Sequence, residues 1–349
     1  IRSRPARGRT WMSIPAPANA PRPDVLGRIL RISSLLSFTL AAVLAWWLIS
    51  VGVSPWIAIV LGLLLPFAIH AVPLGIEFIV GAALDRGAVA RLNVVDAIRL
   101  WLVESWRSFV VFNIDQPWRA HFPERPIVRD PARPAVLLVH GYMCNRASWR
   151  HWVLQGLPCD WNVATINLEP AYVPVEQYAE VLDKAVQKLR AESGAEHITL
   201  VCHSMGGLAA RAFLRDKGHE SVARVITICT PHHGTVFARF AHGKNTHQMR
   251  RASGYLRRLA ESEEPVDFIC FASRHDNLIV PRDSQVLACA DAVWFEKLGH
   301  LAMSASDEVL AKLIEVVKRP LGQSRYSARR LPEMSKSEMA LSAPGQGSA

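Results

Sequence analysis

A run of 45 residues near the start of the chain, residues 32–76, contains no Lys, Arg, Asp or Glu. A membrane-spanning helix needs about 20 apolar residues, so the run is too long for a single span. It is also much longer than the apolar core of a signal peptide, which has about 7–15 residues. Two turn-forming residues, Gly52 and Pro55, interrupt it. The run therefore predicts two apolar helices joined by a tight turn.

These helices, predicted over roughly 32–52 and 55–76, form a hairpin within residues 32–84. Three Trp residues near the turn are typical of a membrane interface: Trp46, Trp47 and Trp56. Arginines lie on both flanks of the run: Arg22, Arg28, Arg31, Arg86 and Arg91. A hairpin returns to the side on which it started, and positive flanks favour the cytoplasmic side, so we expect the rest of the chain in the cytoplasm. A buried helical hairpin of a soluble protein is the alternative.

The formal net charge of +10 is concentrated at the two ends of the 349-residue chain. Residues 1–31 contain seven Arg and one Asp, and residues 318–349 contain six Lys or Arg and two Glu. Basic tails of this kind are more typical of membrane orientation or solubility than of base recognition. Because no nucleic-acid-binding motif accompanies them, we expect no nucleic-acid partner.

The segments that flank the middle of the chain carry weaker signals. Residues 85–133 are predicted to form an amphipathic helix over 88–112, followed by a Pro- and Arg-rich linker. Four apolar side chains can share one face of that helix: Ile98, Trp101, Leu102 and Phe109. We expect this face either at the membrane surface or against the rest of the protein. Residues 1–31 form a basic segment, and the polar residues 320–349 are predicted to be a disordered tail.

From residue 134 to residue 319, apolar runs alternate with segments of helical spacing. Six runs have the pattern of buried strands: PAVLLVHGY, WNVATINLEP, HITLVCHS, ARVITICTP, VDFICFAS and AVWFEKLGH. Three segments have helical spacing: VEQYAEVLDKAVQKLRAES, MGGLAARAFLRDKG and SASDEVLAKLIEVVKR. Ser304 or Ser306 is the N-cap candidate of the last. The alternation predicts an α/β domain with a mostly parallel sheet and helices on both faces.

The stretch TLVCHSMGG places Ser204 where a predicted strand meets a predicted helix. In a nucleophile turn of the pattern G-x-S-x-G, the serine lies on a sharp strand-to-helix turn, and its neighbours must be small. Gly206 and Gly207 meet this requirement after the serine. Before it, Cys202 stands where glycine is usual, with His203 between them. We expect the small thiol to fit, and we predict a working nucleophile turn.

A serine nucleophile needs a base, and the base needs a carboxylate that orients it. When the serine lies on such a turn, the order along the chain is Ser, acid, His. Asp276 follows the predicted strand VDFICFAS, and His300 follows the predicted strand AVWFEKLG. The sequence therefore predicts the triad Ser204, Asp276 and His300. Asp283 is the rival acid, and His275 is the rival base.

The attack of a serine on an acyl group creates an oxyanion, which backbone N–H groups must hold. Met205, directly after the nucleophile, is expected to provide one N–H group. The loop after VLLVHG is expected to provide the other, from Tyr142 or Met143. We assign the oxyanion hole to Tyr142 and Met205.

Five motifs occur in a fixed order between residues 135 and 317: VHGY, HSMGG, TPHHGT, DNLIVP and LGH. With them, this segment resembles the α/β-hydrolase superfamily, and within it the bacterial triacylglycerol lipase and esterase group. Residues 230–259 resemble the stretch that follows the sixth strand in those lipases. The resemblance covers about half the chain and leaves the first 120 residues outside. It departs at Cys202, where many members have Gly or Ala.

The sequence thus predicts a membrane-anchored serine hydrolase of the bacterial inner membrane that cleaves carboxylic esters. Lipid or another apolar acyl ester is the favoured substrate, because of the resemblance and the apolar hairpin. An acyltransferase with the same triad and a non-catalytic membrane scaffold are the alternatives. Because the triad lies downstream, a chain that starts near Asp130 is expected to be more soluble and to cleave short soluble esters.

Metal binding has one candidate pair, the adjacent His232 and His233. Neighbouring side chains in an extended segment point apart, so a turn or pocket wall is the better interpretation. We expect neither a metal nor another cofactor. The oligomeric state is left open.

Overall fold

A computed structural model describes residues 25–85, 92–261 and 266–320. Within these ranges, an N-terminal helical unit (the described part of residues 25–118) precedes an α/β domain. Most of the predicted basic segment and nearly all of the predicted tail lie outside the described residues.

Two long apolar helices open the N-terminal helical unit, α1 (Val25–Ser50) and α2 (Pro55–Leu84). They pack side by side, joined by a short turn at the predicted position. Pro55 begins α2, because a proline tolerates the first helical position, where its missing N–H group would have no partner. Both helices extend beyond their predicted outer bounds. The added parts of the helices contain charged residues such as Arg31. Its Nε donates to the Pro117 carbonyl at 2.6 Å.

Large apolar side chains on the outer faces of α1 and α2 are exposed. Near the turn, Trp46 is 70% exposed and Trp56 is 67% exposed. Only 11% of the most apolar window of α1 and 28% of that of α2 are buried, whereas the core helix of a soluble protein is mostly buried. By length and composition, both helices could cross a membrane. The low buried fraction of both helices argues against the alternative of a buried helical hairpin in a soluble protein.

The predicted amphipathic helix is α3 (Val94–Val110), which packs on the protein through its more polar face. Glu104, Ser105 and Ser108 are buried on that face. Trp101 Nε1 donates to the carbonyl of Ala71 in α2 at 2.7 Å. Several apolar side chains are instead exposed: Val94, Val95, Ile98, Leu102, Val103 and Trp106. The helix is therefore docked on the protein while much of its apolar surface stays uncovered.

The first part of the predicted linker is folded. The chain after α3 forms a π-helical turn, Val111–Asp115, and then α4 (Gln116–Trp118). The Oε1 atom of the buried Gln116 accepts the N–H of Asn145 at 2.7 Å, and its carbonyl accepts Asn145 Nδ2 at 3.0 Å. The proline and arginine content of this segment predicted a linker. The folded structure was not predicted, because it depends on the contact of Gln116 with Asn145, a residue far along the chain.

One sheet of six parallel strands forms the centre of the α/β domain, in the order β2-β1-β3-β4-β5-β6. The strands are β1 (Ala135–Val139), β2 (Asn162–Thr165), β3 (Ile198–His203), β4 (Val222–Ile228), β5 (Asp267–Ser273) and β6 (Asp291–Phe295). Each predicted strand is present. The parallel pairing confirms the predicted fold class, because helices must then cover both faces of the sheet.

Within the described ranges, six further helices follow α4: α5 (Tyr178–Ser193), α6 (Met205–Lys217), α7 (Lys244–Gln248), α8 (Gly254–Ala260), α9 (His300–Met303) and α10 (Asp307–Val317). Leu182 of α5 and Leu208 of α6 belong to the core on one face of the sheet. Leu313 of α10 belongs to the core on the other face, together with Trp149 and Trp152. Of the two N-cap candidates of α10, Ser306 is confirmed, since its Oγ accepts the N–H of Val309. Helices therefore lie on both faces, as predicted.

Candidate active site

Ser204 lies on the turn between the end of β3 and the start of α6. Its backbone has φ 54° and ψ −126°, a conformation that residues other than glycine rarely adopt. The Ser204 N–H donates to the Ile228 carbonyl at 2.8 Å, and its carbonyl accepts Thr230 Oγ1 at 2.9 Å. Hydrogen bonds on both sides thus hold the strained residue in place. The strand-to-helix position expected for a nucleophile is present.

The residues around this turn are packed at close range. A Cβ atom on Gly206 would lie 2.6 Å from the His140 carbonyl oxygen, and one on Gly207 would lie 2.2 Å from Thr230 Oγ1. Both positions therefore require glycine. On the other side of the serine, Cys202 is fully buried in the core. Burial raises the pKa of its thiol, so the side chain stays neutral and behaves as a small apolar group.

Asp276 and His300 lie at the carboxyl ends of β5 and β6 and form a buried hydrogen-bonded pair. His300 Nδ1 is 2.9 Å from Asp276 Oδ2. The other carboxylate oxygen accepts the N–H groups of Leu278 and Ile279, both at 2.8 Å. Burial opposes the charge on Asp276, but the charge and hydrogen bond of His300 and the N–H group of Ile279 lower the pKa of the carboxyl. Burial likewise opposes a charged His300, but Asp276 outweighs it and raises the pKa of the imidazole.

The rival acid and base lie elsewhere. Asp283 belongs to the 3-10 turn Arg282–Gln285, where its charge acts on His233. His275 Nδ1 accepts the N–H of Lys297 at 3.0 Å, which ties the two strand-end loops together. The geometry therefore pairs His300 with Asp276.

The two candidate metal ligands point in different directions. His232 is buried, with Nε2 3.1 Å from Thr227 Oγ1, whereas His233 Nε2 donates to the Val286 carbonyl. Among the described residues, one group has metal-ligand spacing, and it consists of Cys229, Asp276 and His300. Two of its members are the acid–base pair itself, and the Cys229 thiol donates a hydrogen bond to Asp276.

A cavity of about 310 Å³ is lined by some of the predicted residues. Ser204 and His300 both line it, as do Tyr142 and Met143 of the loop after β1. A Cβ atom on the adjacent Gly141 would lie 2.8 Å from Ser204 Cβ, so this loop passes directly over the serine. Met205 opens α6, and no residue of the helix can accept its N–H group. Both predicted sources of oxyanion donors therefore flank the serine.

The cavity has one wall from outside the α/β domain. Ile69, Pro73 and Leu74 of α2 line it, facing apolar residues such as Leu278 and Ile279. Sequence reasoning placed α2 in a separate anchor and missed this role. An apolar helix with a single charged residue, Glu77, carries little local signal of the loop against which it packs.

Two polar side chains near the site make contacts that were not predicted: His203, which was named only as part of the nucleophile turn, and Glu104. His203 Nε2 donates to the His300 carbonyl at 3.0 Å, and burial followed by the charge of His300 lowers the pKa of His203 to about 3. Glu104 of α3 accepts the N–H groups of Leu301 and Ala302. Its position as an acidic residue within an amphipathic helix was the one available signal, and this equally fits a solvated face.

Comparisons with known proteins bear on the fold that carries this site. Residues 167–294 match the family model of the PGAP1-like alpha/beta domain. The lipase BlEst2 of Bacillus licheniformis in its mature form is 17% identical, with a TM-score of 0.49 over 55% of this chain and 95% of its own. Lipase B of Aspergillus fumigatus is also 17% identical, with a TM-score of 0.50 over 61% of this chain and 58% of its own. No curated protein sequence matches. Together with the topology, the family-model match and the likeness to lipase B confirm the predicted fold.

Proposed function

We propose that this chain, a member of the α/β-hydrolase superfamily, is a membrane-anchored serine hydrolase that cleaves carboxylic esters of apolar acyl groups. One observation carries the proposal: Ser204, on its strained turn, and His300, bonded to the buried Asp276, line the same cavity. Nucleophilic acyl transfer requires this combination of nucleophile, base and orienting acid. The catalytic roles of the three residues are part of the proposal.

The hydrogen bond of His300 Nδ1 to Asp276 leaves Nε2 to take the proton of Ser204. Ser204 Oγ then attacks the acyl carbon, and the carbonyl electron pair moves onto the oxygen, which accepts the N–H groups of Met205 and Tyr142. The intermediate collapses to an acyl-enzyme, and His300 returns the proton to the departing alcohol. Water repeats the sequence and releases the acid. Asp276 stays ionised throughout and stabilises the imidazolium.

The proposed substrate class follows from the cavity walls. Apolar side chains from α2, including Ile69 and Leu74, line the cavity together with Phe237, Ala238 and Met249 of the α/β domain. Such a surface binds an acyl chain by removing apolar area from water. The same helix α2 is apolar along its outer face. A lipid ester is therefore the favoured substrate.

For the anchor, we propose that α1 and α2 cross the bacterial inner membrane as a hairpin and leave the hydrolase domain in the cytoplasm. Arg28 and Arg31 lie near the start of α1, and Asp85, at the end of α2, pairs with Arg282 of the domain. The positive-inside tendency supports this orientation. The exposed apolar faces of both helices support burial in lipid.

A fluorophosphonate probe tests the proposed nucleophile. The full-length protein in detergent is expected to be labelled at Ser204, because the probe reacts with serines that are activated by a base. Ser204→Ala should abolish labelling and the hydrolysis of a nitrophenyl ester panel while the thermal unfolding midpoint stays unchanged. Ser221→Ala, a serine outside the cavity, is the matched control.

Unlabelled wild-type protein would contradict the enzyme proposal and favour the scaffold alternative. Labelled protein that transfers acyl groups to an added alcohol in preference to water would favour the acyltransferase. Rates that rise with acyl chain length would support the apolar substrate class.

A further inference from the structure

Glu104 of α3 is fully buried beside the loop of His300, although it lies outside the α/β domain. Its Oε1 atom accepts the N–H of Leu301 at 2.6 Å, and Oε2 accepts the N–H of Ala302 at 3.0 Å. These two residues directly follow His300. One carboxylate thus holds the backbone of this segment with two charge-assisted hydrogen bonds, which are stronger than neutral ones.

The residue that precedes His300 is adapted to the same contact. A Cβ atom on Gly299 would lie 2.4 Å from Glu104 Oε2, closer than real Cβ atoms approach another atom. Glycine at this position therefore allows the carboxylate to reach the two N–H groups. Glu104 fits against the chain on both sides of the proposed base.

Contacts from α2 reach the neighbouring loop. Glu77 Oε2 accepts Asn277 Nδ2 at 2.7 Å, and Asn277 Oδ1 accepts the N–H of His300 at 3.0 Å. Asp85 Oδ2 accepts the N–H of Arg282 at 2.8 Å and pairs with its guanidinium at 3.2 Å. The loops that carry the proposed acid and base are thus both fixed by the N-terminal helical unit.

We infer that Glu104 is a positioning residue for His300: by holding the N–H groups of Leu301 and Ala302, it keeps the imidazole aligned between Asp276 and Ser204. This inference rests on the proposed function of the three residues. A base that is displaced by about 1 Å can lose about 100-fold in rate, so a rigid backbone at His300 has a direct effect on turnover.

The charges around the site connect this role to pH. The titratable groups that face His300 are Asp276, Glu104, Glu77, His203 and Cys229. Arg107 acts on Glu104 from its own helix. Burial raises the pKa of Glu104 to about 7, although the N–H groups of Leu301 and Ala302 oppose the rise. Below that pH one carboxyl oxygen carries a proton and accepts more weakly. The hydrogen bonds of Glu104 to this loop therefore weaken as the pH falls. His300 becomes protonated in the same direction of pH.

The test measures the rate constant of fluorophosphonate labelling at Ser204 against pH in full-length protein, together with kcat and KM on a short nitrophenyl ester. Glu104→Gln is expected to slow labelling by about 10- to 100-fold, because a charge-assisted hydrogen bond is lost. Its effect should fall on kcat more than on KM. The acid limb of the profile should shift to lower pH and become less steep, because a negative charge and one titration are removed.

Two further variants separate positioning from simple loss of stability. Glu308→Gln, an exposed carboxylate at the start of α10, is the control and should match the wild type. Gly299→Ala keeps the charge of Glu104 but displaces the carboxylate, so it should lower kcat without removing the second titration. In a Glu104→Ala background the same glycine substitution should have much less effect, because the clashing group is gone.

A Glu104→Gln protein that labels within about twofold of the wild type, with the same acid limb, would overturn the inference. The inference would also be overturned if Glu104→Gln labelled more slowly only because its thermal unfolding midpoint is lower, while the acid limb of its pH profile stayed at the wild-type position. Absence of labelling in the wild type would instead refute the proposed nucleophile, so the two failures are distinguishable.

Discussion

Ser204 has a left-handed backbone at the junction of β3 and α6, and such a conformation costs about 1–3 kcal/mol for a residue with a side chain. The bonds to Ile228 and Thr230 offset part of that cost. Thr230 also contacts Gly207, so the serine, the threonine and the glycine form one packed group. The orientation of the hydroxyl therefore depends on small side chains around it.

Cys202 offers a test of this steric requirement. Cys202→Ala and Cys202→Gly should retain the labelling of Ser204, because a smaller group still fits the buried position. Cys202→Leu should lose it, because added atoms in a packed core cost about 1–3 kcal/mol, and here they would displace the turn. The measurement is the labelling rate beside the thermal midpoint of each variant.

Cys289→Leu, at an exposed cysteine, is the matched control and should behave as the wild type. Inactive Ala and Gly variants would show that the thiol itself is needed, and the steric explanation would be wrong.

Residues with a local signature could be found from the sequence. Ser204 lies in a strand–turn–helix pattern, and Asp276 and His300 each follow an apolar run, so their meeting at one edge of a parallel sheet was predictable. Glu104 and Gln116 were not predictable in this way. Their partners, Leu301 and Asn145, lie far along the chain, and only the docked structure brings them together.

At the scale of elements, the N-terminal helical unit makes three contacts, here called braces, that hold loops of the α/β domain in place. Glu104 holds the loop after β6, Gln116 holds the loop after β1, and Asp85 at the end of α2 holds the segment after β5. The strand and helix pattern of the α/β domain was predicted because burial on both faces leaves a local hydrophobic signature. The full length of α2 was not predicted, because its end was placed at the first charged residue.

These contacts change the expectation for a chain that starts near Asp130. Such a chain lacks all three braces and one wall of the cavity, so we now expect it to lose at least about 100-fold in rate on short soluble esters. A chain that starts at Val25 keeps every brace and is the control. Both are compared on the same ester after gel filtration and circular dichroism have established that they are folded.

A folded, monomeric truncated chain with the rate of the full-length protein would contradict this prediction. The α/β domain would then be catalytically independent of the N-terminal helical unit.

At the scale of the whole molecule, the proposed hairpin sets the side on which the domain lies. In lipid each span must satisfy its own backbone groups. The two helices do so, apart from the two hydrogen bonds that Pro66 and Pro73 remove within α2. Two spans return the chain to its starting side, and Arg28 and Arg31 favour the cytoplasm there. A reporter that is active only outside the cytoplasm should therefore be silent when fused after Arg319.

The same reporter fused after Ser50, at the hairpin turn, should be active and serves as the matched control. A strong external signal from the fusion after Arg319 would overturn the hairpin and place the enzyme outside.

The wall that α2 gives to the cavity has a kinetic consequence. An ester dissolved in the bilayer would meet the nucleophile by diffusing in two dimensions, with its acyl chain sliding along a helix that, in the proposed hairpin, lies in the same bilayer. Its encounter frequency would then follow the mole fraction of ester among the surrounding lipids and not its molarity in the bulk solution. Diluting the ester with inert lipid would slow turnover even where the total amount of ester is constant. Diluting the vesicles with buffer would leave the rate per enzyme unchanged.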